Sequence, residues 1–291
     1  MKLSTQTHMV CERLSEEKGV ELLCKTGYDA LDISCFEMFD ETSRKMSPGW
    51  KDLVRNLRTI ADDHGVYFNQ AHAPFPSAKA DAAYNDHAFT CIVRSMEFAA
   101  NLGVRNIVVH PIHHMFPYPV HAEQTFRDNV KFYERLLPYC EEFKIHIALE
   151  NMWHRLKDGT VIASACATPD DFKRYLDALP SPWFVACLDF GHVQLINEHI
   201  PTMIRTLGSR LDALHVHDVG YGVDLHTLPY LGTIKDWDAS LAALNEVGYT
   251  GELTFEADNF FHNMPDDMLP MAVKYMHDTG RALIARANAL K

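Results

Sequence analysis

The chain has 291 residues, 47% hydrophobic and 23% charged, a balance that supplies a sizeable core and excludes global disorder. Its formal net charge of -12 weighs against partnership with nucleic acid or with an anionic membrane surface, and no cluster of Lys and Arg offsets it.

Residues 1–10 lack the charged start and apolar run of a secretory signal, and no apolar run nears the ~20 residues of a membrane span. A cytosolic protein is expected. The first strand is read at KLSTQTHM (2–9). SEEKGVELLCKTG (15–27) follows as a helix, opened by a serine and acidic residues and stopped by Gly27. ALDIS (30–34) is the second strand, and WKDLVRNLRTIADDHG (50–65) a helix that also ends on glycine. VYFNQAH (66–72) and NIVVH (106–110) flank a third helix, AAYNDHAFTCIVRSMEFAANLG (82–103). HPIHHMFPYPVH reads as a surface lid holding His113 and His114, with one of the two as an alternative reaching the substrate. HIALE (146–150), the helix TPDDFKRYLDAL (168–179), FVACLD (184–189) and DALHVH (212–217) come next. Trp237 opens the seventh helix as a packing residue, ELTFE (252–256) is the eighth strand, and a helix over 265–289 closes the chain.

Short β-rich runs alternating with helical apolar spacing are the pattern of βα units around a parallel sheet. Eight such strands without a Gly/Ser/Pro-rich linker predict an α/β chain forming a single (β/α)8 TIM barrel over 1–291, with a doubly wound open sheet as the competing fold. Seven scattered cysteines, with no C-x-x-C and an odd count, read as reduced, mostly buried thiols rather than a disulfide framework.

Active sites of such barrels form at the carboxyl ends of the strands. There the third to eighth strands end on His72, His110, Glu150, Asp189, His215 and Glu256. Any one of these alone reads better as a hydrogen-bonded structural residue. Six together are another matter, because each buried charge would need its own compensation, and one cation serves them all. Mixed oxygen and imidazole donors without cysteine suit Mn²⁺, Zn²⁺, Co²⁺ or Fe²⁺, and Mg²⁺ less well because of the imidazoles. His217 shares the strand face of His215 and is read as structural or as supporting the ligands, while Asp218 is read as a loop organiser. Phe75, Trp153 and Phe190 could stack on a bound substrate, dry the pocket or pack in the core.

QAHAPF around His72, VVHP around His110, ALEN around Glu150, CLDFGH with Asp189 and His192, and TFEAD around Glu256 resemble the xylose-isomerase-like barrel superfamily. That superfamily includes sugar isomerases, epimerases and the endonuclease IV class of nucleases. The resemblance implies one metal held by Glu150, Asp189, His215 and Glu256, the four-residue pattern of the epimerase branch. It also implies counterparts of two further metal sites of the nuclease branch, His72 and His110 for one and His192, Asp224 and His226 for the other. One to three ions are therefore expected. The Gly-Ala-His opening of the nucleases is replaced by STQTHM, and CFEMFDETSRK carries acids where a DNA-gripping loop wants arginines.

The expected activity is isomerisation or epimerisation of a ketose or related hydroxy-carbonyl compound. A metal would polarise the carbonyl while Glu150 and Glu256, the expected catalytic pair, abstract and return a proton through an enediolate. His192 would bind a substrate hydroxyl, act as a ligand or orient Asp189. The rival is an endonuclease IV-like phosphodiesterase acting on abasic sites. Dehydration of a polyol and sugar binding without catalysis are further alternatives, and homo-oligomerisation stays open.

Overall fold

A computed structural model describes residues 1–113 and 121–291. His114 lies outside the described residues. Eight parallel strands form one sheet: β1 (Lys2–Gln6), β2 (Ala30–Ser34), β3 (Tyr67–His72), β4 (Asn106–Val108), β5 (His146–Glu150), β6 (Phe184–Asp189), β7 (Leu211–His215) and β8 (Glu252–Phe255). Neighbours in sequence pair in order from β1 to β7, and β8 pairs back onto β1. The ring closes between β7 and β8 through one bridge, Val216 to Phe255. Two hydrogen bonds make that seam, from Val216 N to Thr254 O (2.8 Å) and from Glu256 N to Val216 O (3.3 Å). The fold is the expected TIM barrel.

Helices follow the strands, and their ends obey local chemistry. Ser15 accepts from Lys18 N at the start of Glu16–Thr26, and Gly27 ends that helix in the left-handed region. Thr168 accepts from Asp171 N ahead of Pro169–Ala178. Gly103 closes Ala82–Leu102, whereas Trp50–Asp63 ends on His64, with Gly65 just beyond. Trp237 begins Trp237–Glu246 as expected and is buried against Phe190. Among the described residues, no helix is long and apolar enough to cross a membrane. All seven cysteines are free and buried.

The structure corrects four expectations. β1 stops at Gln6, and a helix starts at His8 (His8–Leu14), because Thr7 N bonds Asp32 O and Thr7 Oγ1 accepts from Ser34 N. β4 ends at Val108, so His110 stands two residues past its strand, and Glu256 stands one past β8. The helix Ala122–Phe143, which contains Pro138, was not anticipated. Nor were two antiparallel hairpins on the carboxyl side of the barrel, Trp153–Arg155 with Val161–Ala163 and Asp218–Gly220 with Val223–Thr227.

Strand alternation explains where the site sits. Leu149, Leu188 and Leu214 point outward into the helix-facing core. Ala148, Cys187 and Ala213 form a separate small apolar layer with Val108. Each of these three lies two residues before Glu150, Asp189 or His215, so by the period of two the ligand candidates share their inward face, one layer higher.

Candidate metal centre

Glu150, Asp189, His215 and Glu256 each present one donor atom, and the four atoms lie within 4.8 Å of one another. His215 is central: its Nδ1 stands 2.9 Å from Glu150 Oε1 and 3.2 Å from Glu256 Oε2. Gln6 Nε2 donates to the other oxygen of Glu256 at 2.8 Å. Asp189 is held by the backbone of the helix it caps, its Oδ1 accepting from His192 N at 2.7 Å. All four residues are buried.

Two more groups adjoin this one. His72 Nε2 and His110 Nε2 approach to 3.1 Å, and Glu150 Oε2 lies 2.9 Å from the latter and 3.7 Å from the former. On the other side His192, His217, Asp224 and His226 gather donor atoms within the same 4.8 Å. Thus all nine expected positions converge at one end of the barrel, and His217 joins them.

Ring orientation follows from the second nitrogen of each imidazole. A carbonyl oxygen can only accept, so the nitrogen facing it carries the proton. His72 Nδ1 donates to Ala73 O (2.8 Å), His192 Nδ1 to Asn151 O (2.8 Å) and His226 Nδ1 to Glu256 O (2.9 Å). Each Nε2 is thereby turned inward, the arrangement by which metal-binding histidines are oriented through their distal N–H.

The electrostatics match a site made for a cation. Burial opposes ionisation of Glu150, yet His215 and His110 hold its carboxyl well below the usual range. Asp189 and Asp224 are likewise lowered against burial, by His192 and His217 and by His192 and His226 respectively. Burial also opposes the charged form of His192, but Asp189 and Asp224 push it up to about 10. His215 and His226 are raised too, whereas burial takes His110 down to about 4. Asp224 Oδ1 is buried without a hydrogen-bond partner. Converging anionic oxygens, imidazole nitrogens turned inward and an orphaned carboxylate oxygen are the donor chemistry a divalent ion satisfies, so the residues fit the group.

A cavity of about 400 Å³ opens over these residues. Phe75, Met152 and Trp153 line it beside His113. Phe75 is 42% exposed and rests on His72 and His110. Phe190, by contrast, is a core residue that packs on Trp237. His113 is buried and lines the cavity, the second of the two places expected for a histidine of this segment. Asp218 organises its loop, accepting from the backbone of Val219, Tyr230 and Ile234.

Three contributors escaped the sequence reading. Asp32 on β2 is fully buried, takes a bond from Gln70 Nε2 (2.8 Å) and lies 3.5 Å from His215 Nε2. An acid inside the apolar run ALDIS was its signal. Asn151 brackets Asp189 through both its amide atoms. Arg155, the only Lys or Arg among the described lining residues, donates to Gly159 O (3.1 Å) and Gly222 O (2.6 Å) and so joins the two hairpins.

Residues 20–274 match a family model described as xylose isomerase-like TIM barrel. The uncharacterized protein y4fM of Sinorhizobium fredii is 28% identical over 163 residues, 55% of this chain and 50% of that protein. The putative L-ribulose-5-phosphate 3-epimerase SgbU of Haemophilus influenzae is 23% identical over 261 residues, 84% of this chain and 82% of that protein. Among solved structures, IolI with a bound zinc atom superposes with TM-score 0.76 at 19% identity, covering 99% of both chains. The D-psicose 3-epimerase of Clostridium cellulolyticum H10 with D-tagatose superposes with TM-score 0.74 at 16% identity, covering 97% of this chain and 99% of that one.

Proposed function

The chain belongs to the xylose isomerase-like TIM-barrel family, and from that premise we propose that it is a divalent-metal-dependent isomerase or epimerase of a ketose or related hydroxy-carbonyl compound. The observation that carries the proposal is the convergence of two carboxylates from different strands, Glu150 and Glu256, on His215 Nδ1 at 2.9 and 3.2 Å. They come from β5 and the end of β8, so they meet a bound substrate from different directions.

Glu150, Asp189, His215 and Glu256 would hold the cation, whose identity among Mn²⁺, Zn²⁺, Co²⁺, Fe²⁺ and Mg²⁺ is left to experiment. A divalent ion bound there would supply Lewis-acid stabilisation of negative charge developing on a carbonyl oxygen. One glutamate takes the proton from the carbon next to the carbonyl, the C–H electron pair forms the carbon–carbon double bond, and the carbonyl oxygen becomes an oxyanion. A proton from solvent, delivered to the opposite face by way of the other glutamate, gives the epimer, and the first glutamate releases the proton it took to solvent. Return to the neighbouring carbon gives aldose–ketose isomerisation instead. Gln6, by donating to Glu256 Oε1, leaves Oε2 as the oxygen that faces the reaction.

The names of relatives support a sugar substrate, since SgbU is described as an epimerase and one superposed structure is a 3-epimerase with D-tagatose. Cytosolic location, a single barrel over 1–291 and a small carbohydrate as partner belong to the same proposal. The rival reading, an endonuclease IV-like phosphodiesterase, draws on the convergence of the nine-residue donor set. Against it stand the chain's net charge of -12 and the engagement of Arg155 by two carbonyls, which leave a phosphate backbone without a basic groove.

Incubation of metal-loaded protein with a panel of ketoses in deuterium oxide tests the proposal. Deuterium at the carbon adjacent to the carbonyl, with new epimer or aldose, is the expected result. Cleavage of an abasic duplex with no exchange into any sugar would transfer the assignment to hydrolysis.

A further inference from the structure

Arg155 stands exposed at the wall of the cavity with its charge unmet. Other arginines of this acid-rich chain pair with carboxylates, as Arg13 does with Asp266, Arg174 with Glu123 and Arg286 with Asp238. Arg155 has no carboxylate partner among the described residues. Two backbone carbonyls hold it instead, Gly159 O at 3.1 Å and Gly222 O at 2.6 Å, each at the turn of one of the two hairpins. Carbonyl oxygens accept hydrogen bonds but bring no countercharge, so the guanidinium keeps its full positive charge. It carries five N–H donors, and these two bonds leave the others for a further acceptor.

Trp153 fixes its position from another side. The guanidinium carbon lies 5.3 Å from the centre of the Trp153 ring, and the indole Nε1 donates to Asp224 Oδ2 at 3.3 Å. The same ring stands 6.4 Å, centre to centre, from that of His192. One indole therefore separates the guanidinium from the donor cluster. A molecule bound over that cluster would meet Arg155 several bonds away from its reacting atoms.

We infer that Arg155 selects an acidic substrate, a hydroxy-carbonyl compound with a carboxylate at the end remote from its carbonyl. The inference deepens the isomerase reading and rests on it. A planar guanidinium meets a carboxylate edge to edge through two parallel N–H···O bonds, which an ammonium group cannot do. Charge balance favours a carboxylate over a phosphate. Arg155 is the only Lys or Arg among the described lining residues, which already include Glu150, Asp224 and Glu256, and the sequence of 114–120 contains neither Lys nor Arg. One guanidinium offsets one negative charge, whereas a phosphate monoester brings about 1.5 to 2 at pH 7. A single fork is also too little for a polynucleotide backbone, in keeping with the absence of a basic groove.

Isothermal titration of the full-length, manganese-loaded protein tests this with D-fructose, D-fructuronate and D-fructose 6-phosphate, and with the corresponding D-tagatose series. Within each series the compounds differ only at the sixth carbon. The acid is expected to bind about 10- to 100-fold more tightly than the neutral sugar, the effect of a hydrogen bond to a charged group, and more tightly than the phosphate. Arg155→Gln should bring the ratio of acid to neutral affinity close to one, and Arg155→Lys should restore only part of it. The ratio is taken within one protein, so a general loosening of the hairpins does not move it, and circular dichroism verifies that each variant is folded. Equal affinities for acid and neutral sugar in wild type, no measurable binding of any of the six, or an unchanged ratio in Arg155→Gln would overturn the inference. Tightest binding of the phosphate would overturn the choice of carboxylate. Deuterium exchange into neutral ketoses alongside equal affinities would leave the isomerase assignment standing without it. An acid preference that depends on Arg155, with no exchange into any sugar, would keep the recognition role and remove the isomerase assignment.

Discussion

Gly191 and His217 touch so closely that a Cβ on the glycine would come within 2.0 Å of the imidazole Cε1. His217 has no room to retreat, being buried and face to face with His226. Gly191→Ala should therefore displace the ring and break its bond to Asp189. Overpacking of this kind costs typically about 1–3 kcal/mol. Urea denaturation should show a loss in that range, and a variant as stable as wild type would mean that the ring moves freely.

Glu150→Gln and Glu256→Gln keep the shape of each side chain but remove the base. Loss of general base catalysis slows proton transfer by roughly 10²–10⁴, and each variant should show at least that fall in deuterium incorporation. A Glu256→Gln protein that exchanges at the wild-type rate would take Glu256 out of the chemistry.

Removing divalent metal with a chelator should abolish exchange and lower the melting temperature, because ligand binding to the folded state alone stabilises by about 4 kcal/mol at 1,000 times Kd. Re-addition should restore both. Unchanged melting and activity after verified metal removal would refute metal dependence.

Asp32 lies behind His215, with Gln70 donating to it. The pair turns Nε2 of His215 toward Asp32 and leaves Nδ1 toward Glu150 and Glu256. Asp32→Asn should weaken metal affinity by roughly 10–100-fold, the usual effect of losing a partner that orients a ligand. Isothermal titration measures this directly, and wild-type affinity would assign Asp32 to packing.

Far from the cavity, burial pushes the Asp171 carboxyl up to about 6, against about 3.9 in an unfolded chain. Between those values the folded protein binds the extra proton, so stability falls as pH rises from about 4 to 6. At neutral pH the group costs at most about 3 kcal/mol. Asp171→Asn keeps an acceptor for the backbone of Cys166 and Ala167, and it should flatten this slope while raising stability at pH 7. Equal urea midpoint differences between pH 4.5 and 7 in both proteins would contradict the assignment.

The strands legible in the sequence were those with a buried apolar run and a polar last residue. HIALE and FVACLD match β5 and β6 residue for residue, because alternation fixes both the strand and the inward face of its final carboxylate. KLSTQTHM did not, since Thr and Gln suit a strand and a turn equally, and only the tertiary bonds of Thr7 with Asp32 and Ser34 decide where extension ends. Asp158–Gly159 carries a hairpin signal, but strands of three residues are too short for periodicity to register. Proline obscured the helix Ala122–Phe143 in a similar way. At the site, six donors were legible as residue types at or near strand ends, and His192, Asp224 and His226 only through the family resemblance. The contributions of Asp32 and Asn151 were not, because they depend on which side chains meet across the barrel.

The barrel is laced most lightly between β7 and β8, where two backbone hydrogen bonds join Val216 to Thr254 and Glu256. His215 and His217 flank one side of that join and Glu256 the other. Anything gripped between them acts as a rivet across the weakest stave, so amide exchange at Val216 and Glu256 should slow on loading by more than at any other pair of neighbouring strands. The cylinder's mechanical integrity and its chemistry would then share one fastener.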